Sequence, residues 1–230
     1  MAKTKKVLLF IVEGFIDKYS LGSVLSPLLS NEEICFAITQ GDVTTKSEVN
    51  ACNVLKTLNG HISEELNKRH FRSSDLLQIV HIIDSDGAFI PESSVRTDPS
   101  AGSQLIYGND FIGTSNPVGI KERNRKKKQL VDLLKTKNEI LKKPYRVFYF
   151  SRNLEHVLHN KGETLSNEEK NSLSDTFVNT YADCPQDFVR FIKSLEIAVP
   201  GDYKKSWQFI EEESHSLERW SNFHLFFDQH

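Results

Sequence analysis

At 230 residues, 38% hydrophobic and 26% charged, the chain has the make-up of a soluble globular protein and is long enough to bury a core without disulfide or metal staples. Three dispersed cysteines, Cys35, Cys52 and Cys184, exclude a disulfide framework or a thiolate zinc site and suit reduced thiols in a cytoplasm. The formal net charge of -2 hides a basic cluster at 121–128, so it leaves room for a polyanion partner, whereas the short apolar run behind M-A-K-T-K-K, broken by Glu13, argues against a signal peptide or a membrane span.

Residues 6–12 are almost continuous Val, Leu, Ile and Phe and predict a buried strand. Residues 15–29 predict a helix with Ile16, Tyr19, Val24 and Leu28 on its apolar side and Pro27 near its end. A second strand is expected at 34–39, closing on Gln40-Gly41-Asp42, then helices at 47–58 and 63–70 and a third strand at 77–83. The stretch 88–118, rich in Pro, Gly, Ser, Asn and Asp, reads as a long surface excursion. Beyond it, 121–141 predicts a helix with Leu130, Leu133, Leu134, Ile140 and Leu141 apolar, and 146–150 a fourth strand that turns through Ser151 into another helix. Ser166 and Glu169 have capping-box spacing, Asp183 and Pro185 suit a helix start, and Phe188, Phe191, Ile192 and Leu195 supply an apolar face.

The alternation of strand and helix predicts an α/β domain over 1–160, a parallel sheet of about four strands with an insertion at 88–118, and a helical extension over 161–230 packed on it. Parallel strands would carry acids to one carboxyl edge: Glu13 and Asp17 after the first, Asp42 after the second, Asp84 and Asp86 after the third, Ser151 and Glu155 after the fourth. Clustered carboxylates raise one another's pKa unless a cation neutralises them, and an oxygen-only set favours Mg²⁺ or Mn²⁺ over zinc. Taken singly, each acid also reads as a solvated loop residue or a cap, and Asp42 before Thr44 and Thr45 is in addition a turn signal.

V-E-G at 12–14, E-x-x-x-D at Glu13 and Asp17, and D-x-D at Asp84 and Asp86 together resemble the Toprim domain of topoisomerases, bacterial primases, recombination-mediator proteins, a small ribosomal-RNA maturase and the overcoming-lysogenization-defect (OLD) nucleases. A serine and a glutamate after the last core strand, Ser151 and Glu155, are similar to the OLD arrangement. The resemblance covers roughly the first two-thirds of the chain, and the segment 88–118 departs from a minimal Toprim domain. It implies a Mg²⁺- or Mn²⁺-dependent nuclease of DNA or RNA with Glu13, Asp17, Asp84, Asp86 and Glu155 around the metal, Glu13 also as general base, and Ser151 and Arg152 orienting the phosphate. It further implies a role in bacterial or phage conflict beside a separately encoded ATPase, since no G-x-x-x-x-G-K-[ST] occurs. A non-catalytic interaction or regulatory module and another Mg²⁺-dependent phosphotransfer or phosphatase enzyme remain as alternatives.

Outside the acids, Lys121, Arg123, Arg125, Lys126, Lys127 and Lys128 read equally as a phosphate-binding surface, with salt-sensitive affinity, or as a solvated helix face. His81, inside the third strand, predicts a satisfied core histidine, and His156 and His159 predict packing or a supporting hydrogen bond. Trp207, Phe209, Trp220, Phe223, Phe226 and Phe227 favour core packing over base stacking, because no basic residues interleave them.

Overall fold

The computed structural model describes residues 6–228, so the basic start at 1–5 lies outside the described residues. The chain forms two compact units, the first comprising the chain through Ile83 with Gln129–Phe148 and Ser174–Gln186, the second Asp84–Lys128, Tyr149–Leu173 and the chain from Asp187 on.

The sheet begins with β1 (Val7–Val12), β2 (Glu33–Ile38) and β3 (Leu76–Asp84), alternating with helices α1 (Phe15–Leu28) and α2 (Val54–Lys68). β1 pairs in parallel with both β2 and β3. All six residues of β1 are buried, as in a strand covered on both faces, and Phe10 stacks on Phe36 of β2 at 5.4 Å. Two further strands, β7 (Glu139–Ile140) and β8 (Lys143–Phe150), complete the order β2-β1-β3-β8-β7. β7 and β8 are antiparallel, joined by Leu141 and Lys142 at φ 52° and 59°, the left-handed pair of a tight hairpin. The fold is thus α/β with a mixed five-stranded sheet flanked by helices, where a parallel sheet of about four strands was expected.

Local chemistry accounts for the boundaries. α1 buries Ser20, Leu21, Val24 and Leu25; of the expected apolar side Val24 is buried, Ile16 and Leu28 are half-buried and Tyr19 is exposed. α2 starts later than expected because side chains pre-empt the backbone before it: Asn53 Oδ1 accepts from the Asn50 N–H at 2.7 Å and Asn50 Oδ1 from Cys52 at 2.9 Å. The single helix α2 takes the place of the two expected at 47–58 and 63–70. His81 is buried and bonds through Nδ1 to the Tyr145 hydroxyl at 2.8 Å, the core histidine that strand alternation predicts.

In the second unit, the segment read as a long surface excursion carries a small sheet of its own. β4 (Val95–Thr97), β5 (Ile106–Tyr107) and β6 (Ile112–Thr114) pair in the order β4-β6-β5 over a cluster of Ile90, Val95, Ile112 and Leu217. Helix α3 (Pro117–Lys135) follows, ending before 141 because the chain turns into β7. After α4 (Leu154–His159), the full capping box closes on α5 (Asn167–Tyr181): Ser166 N–H and Oγ both donate to Glu169 Oε2 at 2.8 Å, and Glu169 N–H donates to Ser166 Oγ at 3.2 Å. α6 (Pro185–Ile192) begins on its proline and buries Phe188 and Ile192, while Leu195 lies past its end and is 94% exposed. α7 (Tyr203–Glu211) supplies Trp207, packed edge-on to Tyr149 at 4.9 Å, and Phe223 stacks on Phe226, so these aromatics serve the core. No helix of the described residues is long and apolar enough to cross a membrane.

Candidate functional site

In the first unit, Glu13 follows β1 directly, and its carbonyl accepts from the Gly41 N–H at 2.9 Å. Asp17 Oδ2 accepts from the Gly14 N–H at 2.8 Å and so helps to fix the start of α1. Asp42 Oδ1 accepts from Thr44 N–H at 2.7 Å and Thr44 Oγ1 at 2.6 Å, the turn that its sequence also allowed.

In the second unit, the exits of β3 and β8 are laced together. Ser85 N–H donates to Phe150 O at 2.9 Å and Asp86 N–H to Arg152 O at 2.8 Å. Arg152 N–H returns a bond to Ser85 Oγ at 2.8 Å. Asp86 and Arg152 both adopt left-handed backbone, at φ 50° and 58°, a strained choice for residues with side chains. Gly87 follows at φ 64°, where an added Cβ would come within 2.5 Å of Leu217 Cδ2, so this turn requires glycine.

Three of the expected acids belong to this unit, each engaged differently. Asp84 Oδ1 accepts from the Leu154 N–H at 3.1 Å, at the first residue of α4. Asp86 Oδ2 meets Lys127 Nζ at 2.5 Å, and its carbonyl accepts from Arg123 Nη2 at 3.0 Å. Glu155, 5% exposed, pairs with Lys170 Nζ at 2.9 Å. Next to it, burial and then the Arg152 charge push the His156 pKa down to about 4.

Arg152 is the most exceptional cation. Its side chain is buried over the Tyr107 ring at 4.5 Å and donates to the Gly162 carbonyl; among the described residues no carboxylate forms an ion pair with it, although the Glu163 charge acts on it from further away. Burial lowers its pKa, while burial and then the Asp86 charge raise that of Tyr107. Ser151, its neighbour, is buried and turns its hydroxyl to the carbonyls of Glu218 and His215.

The basic run does not form one surface. Arg123 binds Asn124 Oδ1 and the Asp86 carbonyl, Arg125 pairs with Glu92 at 2.8 Å, and Lys127 is fully buried, whereas Lys126 is half-buried and Lys128 exposed. Lys121, Arg125 and Lys128 lie at helical spacing and line a pocket of about 380 Å³, whose wall also carries Glu92, Glu211 and Glu213 and so has no excess of positive charge. Tyr107 and Lys170 were not singled out from the sequence, since neither lies in a motif. The burial of Lys127 had a readable signal: Asn124, Lys127, Val131 and Leu134 repeat at three- and four-residue spacing along one buried stripe.

An oxygen-only pair such as Asp84 and Asp86 suits Mg²⁺, which is commonly held by one or two carboxylates and completes its shell with water and phosphate oxygens. Among the described residues, no three His, Cys, Asp or Glu side chains come together in a group that could hold a metal. Comparison of the chain with protein-family models, with curated proteins and with solved structures finds no match.

Proposed function

We propose that the chain is a Toprim-like, Mg²⁺-dependent (or Mn²⁺-dependent) hydrolase of phosphodiester bonds in DNA or RNA, working in the cytoplasm. Support comes foremost from the exit of β3, where two carboxylates, Asp84 and Asp86, share a unit with the buried guanidinium of Arg152, which forms no ion pair among the described residues and feels Glu163 only as a more distant charge. A desolvated guanidinium in that state favours a phosphate, which it can grip through two parallel hydrogen bonds. The Tyr107 ring lies 4.5 Å from its central carbon, and the Gly162 carbonyl fixes one of its nitrogens. Bound at the acids, the metal would supply the positive charge that lowers a water's pKa and offsets charge on the phosphate. Glu13, Asp17 and Glu155 enter as further metal-binding acids through the Toprim resemblance, as do the place in bacterial or phage conflict and the separately encoded ATPase.

The test is cleavage of single- and double-stranded DNA and RNA in Mg²⁺ or Mn²⁺ by wild type, Glu13→Ala and Asp84→Ala. Wild type is expected to cut and both variants to lose at least about a hundredfold in rate, as removal of a catalytic group typically does. Equal cleavage by all three, or none by any, overturns the nuclease reading for those substrates.

A second reading, a non-catalytic interaction or regulatory module, draws support from Asp86 and Glu155, which carry ammonium partners in Lys127 and Lys170. Titration calorimetry separates the two: saturable Mn²⁺ uptake that Asp84→Ala abolishes favours the hydrolase, and its absence the module.

A further inference from the structure

We propose that the groove between α1 and β2 is a stacking platform for single-stranded nucleic acid, which names the strandedness of the substrate and rests on the nuclease reading for its choice of polymer. Helix α1 turns Leu21, Val24 and Leu25 into the core, yet Phe15 is 74% exposed and Tyr19 53% exposed. At positions i and i+4 the two rings are neighbours on the helix, roughly 5–6 Å apart at Cβ. Phe15 stands one residue after Gly14 and two after Glu13. The rings border a groove of about 540 Å³ that also includes Ile34 and Phe36 from β2, the end strand of the sheet, with Lys18 and Arg69 as its charged residues. Phe36, stacked on Phe10, makes that wall firm.

The charge of the lining selects the occupant. No Asp or Glu lines the groove. Arg69 is bonded to Glu65 at 2.6 Å, and Lys18 has no ion pair among the described residues. A second copy of the chain docked face to face would set Lys18, which carries no ion pair, against its own counterpart, a like-charge contact that disfavours self-association. A polyanion with exposed flat rings satisfies both halves of the surface: bases stack on Phe15 and Tyr19, and phosphates lie by Lys18, the groove's cation without an ion pair among the described residues. A duplex hides its base faces, so the rings discriminate in favour of single strands.

The experiment uses the full chain in EDTA, where cleavage is silent and binding alone is read by fluorescence anisotropy of a labelled oligothymidylate and of a duplex of equal length. Phe15→Ala and Tyr19→Ala are each expected to weaken single-strand binding about tenfold and to leave the duplex within about twofold, while Phe15→Trp keeps the affinity. Both rings are exposed, so the substitutions leave the core untouched. No single-strand binding by wild type, equal losses on both probes, or unchanged affinity in the alanine variants each overturn the platform. So does a loss of concentration-dependent self-association in the same variants, which would make the groove a face between copies. Duplex cleavage that survives Phe15→Ala and Tyr19→Ala would leave the nuclease reading standing if the platform falls.

Discussion

The ammonium of Lys127 is fully buried and sits 2.5 Å from Oδ2 of Asp86, the second acid of D-x-D. Burying a charge is tolerable only with a partner, so this pair fixes α3 against the loop after β3 within the second unit. Replacing Asp86 by Asn takes a charged partner from a wholly buried cation. Asp86 keeps 28% of its side-chain exposure, so the loss should fall below the ~3–5 kcal/mol of a fully buried pair, at about 2 kcal/mol. Urea unfolding checks this, with Lys127→Met expected to cost less because the carboxylate can rehydrate. A larger cost for Lys127→Met would mean that the side chain's packing, rather than its charge, matters more.

Gly87 offers a sharper structural test. Its φ of 64° already disfavours any side chain, and an alanine Cβ would press on Leu217 Cδ2 from 2.5 Å. Gly87→Ala should destabilise by about 2 kcal/mol, the sum of a backbone penalty and a partly relieved clash. Wild-type-like thermal unfolding of that variant would show that the turn can rearrange.

Stability should fall on mild acidification. His156 ordinarily titrates at 6.5, but burial and the nearby Arg152 charge hold it neutral down to about 4. Between those values the unfolded chain binds a proton that the folded chain refuses, so stability is fully present above pH 6.5 and declines as pH drops towards 4. Burial shifts His159 and His224 in the same direction. The urea midpoint should be lower at pH 5 than at pH 7.5, and His156→Gln should narrow the gap; an identical gap in the variant would remove His156 from the account.

The sequence was most readable where one physical effect dominated. Continuous apolar residues mark β1, because a strand covered on both faces needs them, and the run from Ile79 to Ile83 marks the buried half of β3. Ser166 and Glu169 predicted their capping box because it is a local exchange of hydrogen bonds. Competing or distant effects were harder to see. Asn50 and Asn53 divert the backbone ahead of α2, and Leu141 and Lys142 make a left-handed turn with neither Gly nor Asn. The sheet inside 88–118 depends on Leu217, more than a hundred residues downstream, so no local pattern could reveal it. At the site, D-x-D was legible as a strand exit, but the ammonium partners of Asp86 and Glu155 come from α3 and α5, and such pairings are tertiary.

Asp86 and Arg152 leave their strands in left-handed backbone and are tied by the Asp86 N–H to Arg152 carbonyl bond. Each conformation costs about 1 kcal/mol or more and persists only while its neighbour holds it. The carboxylate and the guanidinium therefore belong to one mechanical part, and neither loop can relax alone. In evolutionary terms the two positions are coupled: a change that broke this backbone bond at one would remove what holds the other in left-handed backbone.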